Sequence, residues 1–160
     1  LDPAGVQLLC RLLLPRVTLL TPNIPEAASL LGEPPADGVS NAGGGGADEA
    51  ALSAQLQRLL ALGPEAVLIK GGHGQGSESI DYLIDPTGTL ALRAPRLASR
   101  NTHGTGCSLS SAIAAGLAKG QDLVTACRHA KAWISAAIAA ADRLAVGHGH
   151  GPVHHFHEFY

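Results

Sequence analysis

The sequence has no methionine, only three cysteines in 160 residues, 15% charged residues and a net charge of -2. Each shortage excludes something. Few cysteines, and an odd number of them, argue against a disulfide framework and predict a reducing, cytoplasmic setting. The near-neutral balance lacks the electrostatic footprint of a nucleic-acid binder or of a protein that adheres to an anionic membrane, so neither is expected as a partner. No apolar run approaches the ~20 residues that a membrane helix needs. The stretch Leu8 to Leu14 is too short, and Arg11 interrupts it. The first residues do not read as a signal peptide, and none is expected. The pattern G-x-x-x-x-G-K-[ST] is missing, as is G-x-G-x-x-G, which excludes nucleotide binding of the P-loop and protein-kinase kinds. There is no internal repeat. The chain opens at Leu1-Asp2-Pro3, a loop entering a helix, and this opening without methionine predicts that it is part of a longer protein.

What is present reads as one globular domain, with a hydrophobic fraction of 46% and enough length for a real core. Asp2 reads as an N-cap with Pro3 at the first helical position, leading a helix to about Leu14 that Pro15 ends. Val17 to Leu20 is a short apolar run, as expected of a strand buried on both faces. After Thr21-Pro22-Asn23, Pro25 to Leu31 reads as a short helix stopped at Gly32. Glu33 to Ala47, with two prolines and four consecutive glycines, reads as a surface loop. Asp48 is expected to cap a helix to about Leu62, with Leu52, Leu56, Leu59 and Leu60 on one face. Ala66 to Lys70 reads as a second buried strand. Ile80 to Ile84 and Thr89 to Arg93 read as a hairpin around Asp85-Pro86-Thr87-Gly88. Two helices follow, one ending near Lys119-Gly120 and one running from Asp122 to about Ala141. The tail from Gly147 has no clear period. This order favours an α/β sheet with parallel strands and helices on its faces.

Ligands of open α/β sheets bind beyond the carboxyl ends of the strands, and three segments fall there. In Thr21-Pro22-Asn23-Ile24-Pro25-Glu26, Asn23 and Glu26 are spaced to face one point at a helix start. An amide and a carboxylate there suit a hydrated magnesium ion. The same spacing also suits a capping box, with no metal involved. In Lys70-Gly71-Gly72-His73, a lysine at a strand end can reach a phosphate while the glycines allow close backbone approach. The competing reading is a surface lysine in a tight turn, with His73 a solvated loop residue. In Asn101-Thr102-His103-Gly104-Thr105-Gly106-Cys107, glycines open a helix and a cysteine sits in its first turn. The amides and dipole of a helix N-terminus make an anion site. The same field favours a thiolate over the ordinary thiol, whose pKa of ~8.5 makes a poor base at neutral pH. The competing reading is an inert buried cysteine behind a glycine turn. Cys10 and Cys127 fall within helical patterns and read as core. The tail histidines His148, His150, His154, His155 and His157 lack interleaved carboxylates or cysteines at a ligand spacing, which argues against a metal there.

Together with Ala130-Lys131-Ala132-Trp133 and Gly151-Pro152-Val153-His154-His155-Phe156, these segments resemble the hydroxymethylpyrimidine/phosphomethylpyrimidine kinases of thiamine biosynthesis, in the ribokinase-like superfamily. The resemblance runs from about Leu8 to Phe156. It implies a ribokinase-like three-layer α/β/α fold with a mostly parallel sheet, of which residues 1–160 form the C-terminal, nucleotide-binding part of a single domain. It implies ATP-dependent, magnesium-dependent phosphorylation of 4-amino-5-hydroxymethyl-2-methylpyrimidine and then of its monophosphate. Cys107 occupies the position where most of the superfamily carries an aspartate base. By resemblance it takes the proton of the substrate hydroxymethyl group, and the amides of Gly104, Thr105 and Gly106 form the anion hole. Asn23 and Glu26 match an N-x-x-E motif linked to magnesium and phosphate. Lys70, with Gly72 beside it, serves the nucleotide phosphates. A homodimer is common in the family and is expected here. The family's N-terminal half, which supplies most of the pyrimidine pocket, has no counterpart in these residues, so this segment alone is expected to lack a complete substrate site. Pyridoxal kinase, a relative acting on another aromatic alcohol, is the close alternative. A non-catalytic nucleotide- or pyrimidine-binding module is the other, and the presence of Cys107, Asn23 and Glu26 together argues against it.

Overall fold

The computed structural model describes residues 2–33, 46–71 and 76–159. The chain divides into two compact units, Leu1–Arg93 and Ala94–Tyr160.

The first unit is α/β. Asp2 caps α1 (Pro3–Leu8) by accepting the Gly5 amide, and Pro3 opens it, as the sequence predicts. Beyond Leu8 the expected single helix changes pitch, to a π turn at Leu9–Leu13 and a 3-10 turn at Leu14–Arg16. Pro15 has no amide to continue the α ladder. The first strand, β1 (Leu19–Leu20), is shorter than expected and half-buried rather than buried on both faces. Among the described residues it is the first strand of a sheet ordered β1-β2-β3-β4, with β2 as its neighbour. Next come α2 (Ile24–Leu30) and α3 (Gly46–Leu60), then β2 (Ala66–Ile69), β3 (Glu78–Asp85) and β4 (Gly88–Pro95). Gly32, at φ 69°, ends α2 as expected, a left-handed stop that a Cβ would strain. The third helix starts two positions before Asp48, so Asp48 lies inside its first turn and is not its cap.

The expectation of a mostly parallel sheet fails for the described strands. β1 and β2 pair in parallel, with Leu19 opposite Ala66, whereas β2 and β3 pair antiparallel, with Leu68 opposite Leu83. Only residues 70–77 join β2 to β3, too short a stretch for a parallel crossover, and the tight turn at Pro86-Thr87, held by Asp85 accepting the Thr87 amide and hydroxyl, joins β3 to its neighbour β4. The parallel β1–β2 pair needs the long crossover that α2 and α3 provide. Every residue of β2 is buried. Ile24, Ala27, Leu56, Leu59, Val67, Ile69 and Ile84 form one core cluster, with Leu52 and Leu60 packed against it, so the predicted leucine face of α3 is the face that meets the sheet.

The second unit pairs α4 (Thr105–Ala118) with α5 (Leu123–Ala139). Gly116 lets them approach: a Cβ there would lie 3.0 Å from that of Ala126 and 2.7 Å from Gln121 Oε1. Asp122 caps α5 through the Thr125 amide and hydroxyl. Leu109, Ile113, Ala126, Cys127, Ala130 and Ile134 are buried, which bears out Cys127 as a core residue, whereas Cys10 in the first unit is only part-buried. Among the described residues, no helix is long and apolar enough to cross a membrane.

Candidate functional site

The site residues of the first unit are gathered by the parallel β1–β2 pair. Beyond the ends of these strands the ladder continues as one more parallel bridge, Asn23 opposite Lys70, and the Lys70 amide donates to the Pro22 carbonyl over 2.9 Å. This bridge sets the asparagine that starts α2 beside the lysine that ends β2. Asn23 Oδ1 accepts the Glu26 amide at 2.8 Å, and the Glu26 carboxylate accepts the Asn23 amide at 2.7 Å. The capping box that the sequence allows is therefore formed. Glu26 also faces Lys70, with Nζ 3.8 Å from Oε2. The Lys70 side chain is only 18% exposed, while that of Glu26 is 56% exposed. Lys70 thus lies along the protein with its charge beside a carboxylate that water can reach. Two oxygen-bearing side chains at a helix start, one an accessible carboxylate, fit a hydrated magnesium ion, which prefers oxygen donors and keeps its waters.

One contributor here escapes sequence reading. Asp81, on β3, is 3% exposed, and its carboxylate accepts the Gly71 amide at 2.8 Å. It fixes the backbone just after Lys70. The available signal was an aspartate interrupting the apolar run of a strand, a costly choice unless the carboxylate is hydrogen-bonded. Gly72 and His73 lie outside the described residues.

The site residues of the second unit sit on the first turn of α4. Gly104 precedes the helix at φ 84° and ψ -2°, in the left-handed region that glycine enters without strain. No side chain caps this helix, in contrast to α1, α2 and α5. A helix N-terminus without a side-chain cap keeps its partial positive charge for another acceptor. The Thr105 amide donates to the Thr102 carbonyl over 3.3 Å, a long bond. Gly106 and Cys107 follow within that turn, and Cys107 is exposed rather than packed away. Cys107 is therefore not the buried residue that the competing reading expected. Among the described residues no group of three or more histidine, cysteine, aspartate or glutamate side chains is arranged to hold a metal ion, the tail histidines included.

A family model described as phosphomethylpyrimidine kinase matches residues 1–154. The hydroxymethylpyrimidine/phosphomethylpyrimidine kinase of Rhizobium meliloti is 46% identical over 100% of this chain and 56% of its own length. The thiamine biosynthesis bifunctional protein ThiED of Geobacter sulfurreducens is 43% identical over 97% of this chain and 29% of its own length. Among solved structures, the pyridoxal kinase of Staphylococcus aureus in complex with AMP-PCP and pyridoxal superposes with a TM-score of 0.85 at 26% identity, covering 99% of this chain and 55% of that one. The chain therefore spans about half the length of the single-function kinases it matches.

Proposed function

This chain belongs to the phosphomethylpyrimidine kinase family, and on that premise we propose that it is the C-terminal, nucleotide-binding part of a cytoplasmic, ATP- and magnesium-dependent kinase. The proposed reaction phosphorylates 4-amino-5-hydroxymethyl-2-methylpyrimidine and then its monophosphate, in thiamine biosynthesis. The observation that carries the reading is the exposed Cys107 in the first turn of a helix opened by left-handed Gly104 and left without a side-chain cap. That arrangement suits phosphoryl transfer, where the protein mostly positions groups and stabilises charge. Cys107 takes the proton from the hydroxymethyl oxygen. The amides of Gly104, Thr105 and Gly106 receive the negative charge of the transferring group. Lys70 offsets charge on the nucleotide phosphates, and Gly72 lets the backbone come close to them. Asn23 and Glu26 would hold magnesium, and the bound ion would supply further neutralisation of phosphate charge. The working protein is a homodimer with a small-molecule substrate, and it engages neither nucleic acid nor membrane.

The capping box formed by Asn23 and Glu26 is compatible with this role, because it fixes both side chains before any ion arrives. Asn23→Ala removes one oxygen donor and loosens Glu26. The expected result is a raised magnesium requirement, measured as the magnesium concentration for half-maximal rate. An unchanged magnesium dependence removes Asn23 from this role.

Pyridoxal is the second candidate alcohol, favoured by the structural likeness to a pyridoxal kinase. Initial rates of the full-length protein on the hydroxymethylpyrimidine, its monophosphate and pyridoxal decide between them. Higher kcat/KM on both pyrimidines is expected, and a preference for pyridoxal overturns the substrate assignment.

A further inference from the structure

The Cys107 turn is flanked by a second piece of chain, remote in sequence. Residues 151–155 run beside residues 101–103 as a parallel bridge, His103 opposite Pro152. The His103 amide donates to the Gly151 carbonyl at 3.1 Å, and the Val153 amide donates to the His103 carbonyl at 3.3 Å. Two side chains then anchor this strap, one on each flank of the turn.

The first anchor is Asn101. Its Oδ1 accepts the Gly151 amide at 3.1 Å, while its Nδ2 donates to Asp142 Oδ1 at 3.0 Å and reaches the Ala141 carbonyl at 3.4 Å. Ser99 Oγ donates to the same Asp142 oxygen at 2.7 Å and accepts the Asn101 amide at 3.1 Å. An amide side chain suits this place, since it accepts on one side and donates on the other. Asn101 comes so close to the strap that a Cβ on Gly151 would lie 2.2 Å from Oδ1, which accounts for glycine there.

The second anchor is His155. Its Nε2 shares a hydrogen bond with Ser108 Oγ at 2.7 Å. Ser108 also donates its amide to the Gly104 carbonyl at 2.9 Å, closing the turn that contains Thr105, Gly106 and Cys107. Trp133 on α5 backs the His155 ring with centroids 6.2 Å apart, and the His154 amide donates to the Ala137 carbonyl at 3.0 Å. Val153 is buried between these anchors, at 1% exposed. The strap is thus tied to α5 as well as to the turn.

We propose that residues 151–155 form a positioning strap for the Gly104–Cys107 turn, with Asn101 and His155 as its positioning residues. The proposal rests on the reading of that turn as the phosphoryl-transfer site. Displacing a reacting or charge-stabilising group by about 1 Å can cost on the order of a hundredfold in rate, so a turn carrying only glycine and small residues needs outside support.

The test uses the full-length protein, with kcat, KM for ATP and amide hydrogen exchange through residues 104–108 measured on His155→Ala, Ser108→Ala and the double variant. Each single variant is expected to lower kcat about tenfold or more, with a smaller change in KM, and to speed exchange of the turn amides. The double variant is expected to be no slower than the slower single one, because both remove the same bond. His155→Gln, which keeps a polar group near the Nε2 position, is expected to recover most of the loss. Unchanged exchange in both single variants overturns the strap. Faster exchange with kcat within about twofold of the parent overturns its functional role. Failure of the site reading shows separately, as turnover persisting in a Cys107→Ala variant, and the exchange data still decide whether the strap holds the turn.

Discussion

Replacing Cys107 by alanine in the full-length protein is expected to abolish measurable turnover while leaving ATP binding intact. A positioned general base contributes typically 10²–10⁴-fold, and alanine has no group to take the hydroxymethyl proton. Nucleotide affinity should survive, because the proposed anion site consists of main-chain amides at the start of α4, which alanine at Cys107 does not remove. The stability cost should be small, since Cys107 is exposed and leaves no cavity. The measurement is a steady-state rate beside a calorimetric ATP titration. Near wild-type turnover in the variant would sink the assignment of Cys107 as base. Loss of ATP binding together with turnover would assign Cys107 to nucleotide binding instead. Cys107→Asp places at this position the base that most of the superfamily is expected to carry, and recovery of part of the rate is expected.

Leu59→Ala is expected to destabilise the first unit by about 2–5 kcal/mol, the usual range for truncating a fully buried leucine. Leu59 is 0% exposed and belongs to the cluster that also holds Ile24 and Ile69. Those two residues adjoin Asn23 and Lys70 in sequence, so the core under the sheet sets where both site residues emerge. A loss of this size is a large share of the ~5–15 kcal/mol that holds a typical domain folded. Denaturant unfolding of the full-length protein reads it directly. A shift below about 1 kcal/mol would mean that the core collapses readily around the gap and that Leu59 is not central to it. Because loosened packing also frees Asn23 and Lys70, the variant is expected to bind nucleotide more weakly as well.

Local features were legible because local chemistry decides them. Asp2, Asn23 and Asp122 are caps in the structure because a short polar side chain reaches an amide within three residues, a distance the sequence shows directly. The leucine period of α3 showed which face would be buried. The hairpin followed from a turn sequence flanked by apolar runs. The π turn after α1 and the early start of α3 were not legible, since small differences in competing backbone hydrogen bonds decide helix ends.

At the candidate site, the sequence by itself determined which residue types stand at the strand ends and at the start of α4, and its motifs pointed to the family that the chain belongs to. Only the tertiary structure decided their partners. Lys70 meets Glu26 because a parallel bridge sets β2 beside the start of α2. Gly71 is held by Asp81 because β3 pairs antiparallel beside β2. Asn101 is met by the tail at Gly151, which has no side chain to keep it away, and Ser108 by His155 four residues on. Such contacts join segments far apart along the chain. Their existence depends on how the whole backbone closes, and no run of neighbouring residues encodes that.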